Sequence, residues 1–150
     1  MVPIVDAAIA YDCPFTMKTH ILTIRNALHV ESMPHNIIPS FIMREAGLRV
    51  NDVPRIHCSM EELNNDSHYI LAKDLKIPLR LDGIFSYFPT RKLTAEEVES
   101  CEYMPTVGLT QDGPEWDPYD SAYANQEDSR IDFRGDVIVP EPKRRKILDD

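Results

Sequence analysis

Charge is divided along this chain in a way that limits which part can fold. Residues 1–93 carry ten acidic and ten basic side chains and are neutral overall. Residues 94–139 carry twelve acidic and two basic ones, a net charge of −10, and the last eleven residues return to +1. A balanced segment followed by an acidic one reads as a globular body with a solvated tail. The tail from residue 94 onward also holds Gly113-Pro114, Asp117-Pro118 and Pro140-Glu141-Pro142, with few residues suited to a core. Such a segment buries too little apolar area to offset its ordering entropy. The expected organisation is therefore a folded domain over 1–93 and a disordered acidic tail over 94–150, with the boundary near Thr94.

Within the first 93 residues the dominant signal is β. Ala7 to Tyr11 is short and apolar and is closed by Asp12-Cys13-Pro14; Thr19 to Val30 is rich in β-branched and apolar residues. Two such runs around a short connector predict antiparallel strands. Pro39 to Ala46 predicts a short helix, since proline is tolerated in a first turn and Gly47 suits the position just past a helix end. Ile37-Ile38 before it reads as strand-like, and Leu48-Arg49-Val50 after it as a short strand. Ile77, Leu79 and Leu81 alternate with Pro78, Arg80 and Asp82, and Asp82-Gly83 makes a turn into Ile84, Phe85, Tyr87 and Phe88. This predicts a hairpin with one apolar face. The fold class expected is mainly β with one short α-helix. Its core would hold Ile9, Ile21, Leu22, Ile24, Leu28, Ile37, Ile38, Phe41, Ile42, Leu79, Leu81 and Phe85.

Several kinds of chemistry find no support. The five glycines are scattered, so there is no glycine-rich phosphate loop, and there is no serine nucleophile elbow. His57-Cys58 with His68 makes a poor zinc set, because paired ligands at short spacing are missing; no metal and no cofactor are expected. The three cysteines, Cys13, Cys58 and Cys101, are odd in number and unpaired in spacing, as in a reducing compartment. No apolar run approaches the ~20 residues that cross a bilayer, and Met1 to Ile9 lacks the basic start of a signal peptide. A cytoplasmic or nuclear location is expected, with no membrane partner. Lys143-Arg144-Arg145-Lys146 fits a nuclear-import cluster. The net charge of −9 argues against a nucleic-acid interface.

The stretch A-L-H-V-E-S-M-P-H-N-I-I-P-S-F-I-M-R-E-A-G, residues 27–47, resembles the late segment of retropepsin-like aspartic proteases in copia-type retrotransposon polyproteins. There an Asn-Ile-Ile strand end leads into a short apolar helix closed by glycine; Asn36, Ile37, Ile38 and Gly47 stand at those positions. I-P-L-R-L-D-G-I-F-S-Y-F-P-T-R-K, residues 77–92, is similar to a segment downstream of that region in copia-like elements of diatoms and related algae. The resemblance covers roughly residues 5–93 and, more loosely, the acidic W-D-P-Y-D-S-A-Y segment. It implies a partial retropepsin-like β fold.

The departures from that family bear on activity. An aspartic protease pairs two carboxylates that share a proton, each held by an Asp-Thr/Ser-Gly turn. No such turn occurs in the 150 residues, and Pro39 replaces the glycine that enters the helix. Val5-Asp6-Ala7-Ala8 is the nearest imitation, so Asp6 is the sole catalytic candidate and more readily an ordinary strand-edge aspartate. The resulting expectation is a non-catalytic polyprotein fragment, from a reading frame that begins inside the protease region. It would self-associate or meet polyprotein neighbours through an unpaired sheet edge. Two alternatives follow. One is an interaction module whose acidic-aromatic tail (Trp116, Tyr119, Tyr123) and basic end act in the nucleus. The other is a homodimeric aspartic protease using Asp6 from each subunit.

Overall fold

The computed structural model describes residues 2–63, 67–113 and 116–138. Over these the chain is mainly β. Strands β1 (Ile4–Asp12) and β2 (Thr19–Leu28) form a long antiparallel hairpin, and β8 (Thr106–Gly108) joins the other side of β2 in parallel. A second sheet has the order β3 (Arg49–Asn51), β4 (Tyr69–Ala72), β5 (Leu75–Pro78), all antiparallel. The strands β6 (Arg80–Asp82) and β7 (Phe85–Tyr87) make a separate hairpin. The chain divides into a unit over residues 1–118 and another over 119–150.

The predicted β1–β2 pair is present, with Ala10 opposite Ile21 and Ile9 opposite Leu22. The centre of the pair is buried on both faces, since Ala10 and Tyr11 in β1 and His20, Ile21 and Leu22 in β2 are consecutive buried residues. The predicted helix is also present as α1 (Ser40–Glu45), with Pro39 as its N-cap and Gly47 one residue beyond the Ala46 C-cap. Gly47 has φ +91°, and a Cβ there would meet nothing within 4 Å. The cost of a side chain is therefore purely conformational. Gly47→Ala is expected to destabilise by about 1–2 kcal/mol, the ordinary penalty for an L-residue in left-handed backbone; urea titration measures it.

One hydrophobic cluster sits among these elements. It joins Tyr11 and Leu22 from the first sheet, Met43 from α1, Ile70, Leu75 and Ile77 from the second sheet, and Leu79 and Leu109 from the connections. Phe88 packs edge-on against Tyr11, with ring centroids 5.9 Å apart, a favoured aromatic geometry.

Several expectations are corrected. The boundary near Thr94 is too early: the first unit continues to Pro118. The acidic segment 94–118 supplies β8, the fully buried Leu109 and the buried Trp116, three local contributions that average charge conceals. The count of one helix is too low, because α2 (Ala95–Glu99) and α3 (Ser121–Asp128) are helical as well. Thr94 and Glu97 form a reciprocal capping box for α2, and Asp120 caps α3, so short polar helices form on cap chemistry rather than on an apolar stripe. That also corrects the expectation of disorder for the part of 119–138 that α3 occupies; residues 139–150 lie outside the described ones.

The core list needs revision too. Leu28, Ile37, Phe41, Leu81 and Phe85 are exposed, and Ile37-Ile38 belongs to no strand. The alternation at 77–82 predicts one continuous strand. Instead the backbone changes partner at Leu79: Ile77 and Leu79 are buried, while every residue of β6 and β7 is exposed. The strand that pairs with the buried half is β4, joined to β5 by Lys73-Asp74. A two-residue connector between Y-I-L-A and L-K-I-P was a readable hairpin signal.

Candidate functional site

Asp6 lies inside β1, where the register with β2 shifts between Val5 and Ala7. Its carboxylate accepts the backbone N–H of Asn26 at 3.0 Å. Asn26 sits at φ +54°, and its side chain donates to the carbonyl of Trp116. The Trp116 indole N–H in turn donates to the Arg25 carbonyl at 2.7 Å. Asp6 is thus a solvent-facing acceptor that satisfies a bulged backbone. A proton-sharing pair needs its acids on turns in a water-poor site; this aspartate stands mid-strand and exposed.

The four residues carried by the family resemblance are not all brought together. Asn36 and Ile38 line a cleft of about 270 Å³, Ile37 is 72% exposed, and Gly47 closes the far end of α1. The cleft has an apolar floor that includes Ile9, Met43, Ile70 and Leu79. Its polar lining comes from Asn36, Ser40, Asp52, Ser86 and Thr90. Lys143, Arg144, Arg145 and Lys146 lie outside the described residues.

Behind the cleft stands His68, held at φ +58° with 3% of its surface exposed. Its Nε2 is 3.0 Å from the Ser86 hydroxyl, and its carbonyl accepts the N–H of Leu79 at 2.9 Å. Burial and the Arg55 guanidinium lower its pKa, against a smaller opposing effect of Asp52. The imidazole is therefore neutral near pH 7. Asp52 itself pairs with Arg44 at 3.4 Å. Ser86 and His68 are eighteen residues apart and belong to no sequence motif, so only the fold puts them in contact.

A second polar constellation fastens residues 91–97 to β1. Arg91 reaches Asp12 at 2.7 and 3.0 Å and Glu97 at 2.6 and 2.8 Å, and its backbone exchanges two hydrogen bonds with Ala10. Asp12 also accepts from the Thr19 hydroxyl at 2.6 Å. Hydrogen bonds from Arg91 and then Thr19 lower the Asp12 pKa from 3.8 to about 2; those from Arg91 and then the Thr94 backbone lower Glu97 from 4.5 to about 2. Both carboxyls are depressed on folding, so their stabilisation is complete above about pH 4.5. It disappears as the pH falls from there through about 2. Arg91→Ala is expected to lower Tm by several degrees at pH 7 and to flatten the dependence of Tm on pH between 4.5 and 2. Calorimetry across that range measures both; an unchanged acid profile would count against the clasp.

At Cys13 burial raises the thiol pKa, but hydrogen bonds from the Thr16 side chain and the Thr16 and Phe15 backbone outweigh it and leave the value lowered. The imagined set His57, Cys58 and His68 is not assembled: among the described residues no three His, Cys, Asp or Glu side chains are grouped to hold a metal ion. Comparison with protein-family models, curated proteins and solved structures found no match to this chain.

Proposed function

We propose that this chain is a segment of a copia-type retroelement polyprotein, carrying part of a retropepsin-like scaffold without the paired aspartates of the enzyme. The support is an order of parts. An antiparallel pair, β1 and β2, is followed by Asn36-Ile37-Ile38, a short helix α1, and a left-handed Gly47. That is the order of the segments on which the family resemblance rests. The observation that carries the non-catalytic half of the proposal is the engagement of Asp6 with the Asn26 N–H inside a strand.

On this reading the chain works by contact rather than by proteolysis, with itself or with polyprotein neighbours in the cytoplasm or nucleus. Strand β1 lies at the edge of its sheet, and Ile4, Val5 and Leu28 are exposed at the open end of the hairpin. Apart from Ala10, which bonds to Arg91, that edge pairs with no other strand among the described residues, and an apolar edge is a template for further strands. Among the described residues, no helix is long and apolar enough to cross a membrane.

The test uses the purified chain in two measurements. Sedimentation at micromolar concentration is expected to give a mass above that of the 17.2 kDa monomer. Incubation with a mixed peptide library at pH 4–7 is expected to leave the peptides intact, and Asp6→Asn to change nothing in that assay. Pepstatin-sensitive cleavage lost in Asp6→Asn would establish the protease alternative and end the proposal. A second reading, an interaction module for another protein, is favoured by the β6–β7 hairpin, where Ile84 is 89% and Phe85 71% exposed.

A further inference from the structure

The cleft beside α1 has a feature that a scaffold does not require. Ser86 lines the opening, and the imidazole that touches its hydroxyl lies behind it, almost wholly shielded from water. In the tautomer that carries its hydrogen on Nδ1, a buried neutral histidine with Nε2 3.0 Å from a hydroxyl on a cleft wall makes the arrangement of a base and the nucleophile it activates. We propose that Ser86, with His68 as its general base, is a nucleophilic serine that takes acyl groups from small activated esters.

The chemistry closes on the ester and water alone. The Ser86 Oγ attacks the ester carbonyl carbon as its proton moves to His68 Nε2. The tetrahedral adduct then collapses, the ester C–O bond breaks, and His68 returns the proton to the departing alkoxide, which leaves as an alcohol. A water molecule repeats the sequence on the acyl-serine, releasing a carboxylic acid and restoring the hydroxyl. Asn36, Ser40 and Thr90 line the same cleft and are the side chains there that carry hydrogen-bond donors for the tetrahedral oxygen. The apolar floor of Ile9, Met43 and Leu79 suits an acyl chain. A volume of about 270 Å³ favours a short one, since ligand clefts of roughly 300–1,000 Å³ hold drug-sized molecules.

The charged groups around His68 set its working range. Burial and then Arg55, from the turn after β3, disfavour protonation; Asp52, the residue just past that strand, opposes them. The base is therefore available at neutral pH and is lost as the pH falls through a midpoint below the ordinary 6.5.

This inference is independent of the retroelement reading, because Asp6 and oligomeric state take no part in it. The experiment exposes the full chain to a fluorophosphonate probe between pH 5 and 8. Intact mass and peptide mapping follow the adduct, and p-nitrophenyl butyrate hydrolysis is recorded alongside. The expected result is a single adduct on Ser86 and none in Ser86→Ala, whose circular dichroism matches the parent. The labelling rate should fall on acidification with a midpoint below 6.5. His68→Asn should slow labelling by about 100-fold, the lower range for loss of a general base. Should His68→Asn fail to fold, the pH profile of the unaltered chain decides. No adduct, an adduct elsewhere, or a rate indifferent to pH would reduce the contact to a structural hydrogen bond and overturn the proposal.

Discussion

Cutting the chain after residue 93 is expected to abolish cooperative unfolding, whereas cutting it after Pro118 is expected to preserve it. The shorter piece contains the balanced-charge segment that looks like a complete domain. It lacks β8, which occupies the side of β2 opposite β1 through Ile21, Leu22 and Thr23. It also lacks Leu109, whose fully buried side chain belongs to the central cluster. Deleting one such leucine side chain costs about 2–5 kcal/mol. Total stability for a domain is only about 5–15 kcal/mol. The Thr110 hydroxyl that accepts the Arg25 N–H at 2.8 Å is absent as well, as is the Trp116 indole that donates to the Arg25 carbonyl at 2.7 Å. Leaving backbone groups without partners and a hydrophobic cluster open to water exceeds what the remaining contacts offset. Thermal melts followed by near-ultraviolet circular dichroism separate the two outcomes. A sharp transition in the 1–93 piece would show that the later strand is dispensable.

Leu22→Ala and Ile37→Ala form the second pair, and their difference should be large. Both residues look equally fit for a core in the sequence, yet Leu22 is fully buried and Ile37 is 72% exposed. Leu22→Ala removes a side chain at the centre of the cluster and is expected to cost about 2–5 kcal/mol, the spread reflecting how far the site can collapse. Ile37→Ala removes surface already in water and should stay within about 0.5 kcal/mol. Denaturant titration with a shared slope compares them. Equal losses would place Ile37 in a buried environment and contradict the geometry of the approach to α1.

How much of the candidate site was readable follows from the range of each interaction. The capping box at Thr94 and Glu97 spans three residues, so its signal is present in the sequence even though averaged charge obscured it. Asp6 could be doubted as a catalytic acid without any structure, because the residues after it lack the hydroxyl and glycine of a catalytic turn. Its actual task, meeting a backbone N–H at Asn26 twenty residues away, depends on a bulge that no local pattern announces. The contacts of His68 with Ser86 and of Arg91 with Asp12 are likewise products of the tertiary fold, between residues 18 and 79 apart in the chain.

By itself, then, the amino-acid order determined the features whose causes are local. These are the alternation that makes β1 and β2, the proline and glycine that bracket α1, and the absence of an aspartic-protease turn. The tertiary structure alone decided where the first unit ends, which apolar residues became core, and which polar groups face the cleft. Periodicity says that one side of a strand can be buried. Whether it is buried depends on a covering element elsewhere in the chain, as Leu109 covers the first sheet's cluster and nothing among the described residues buries Phe85.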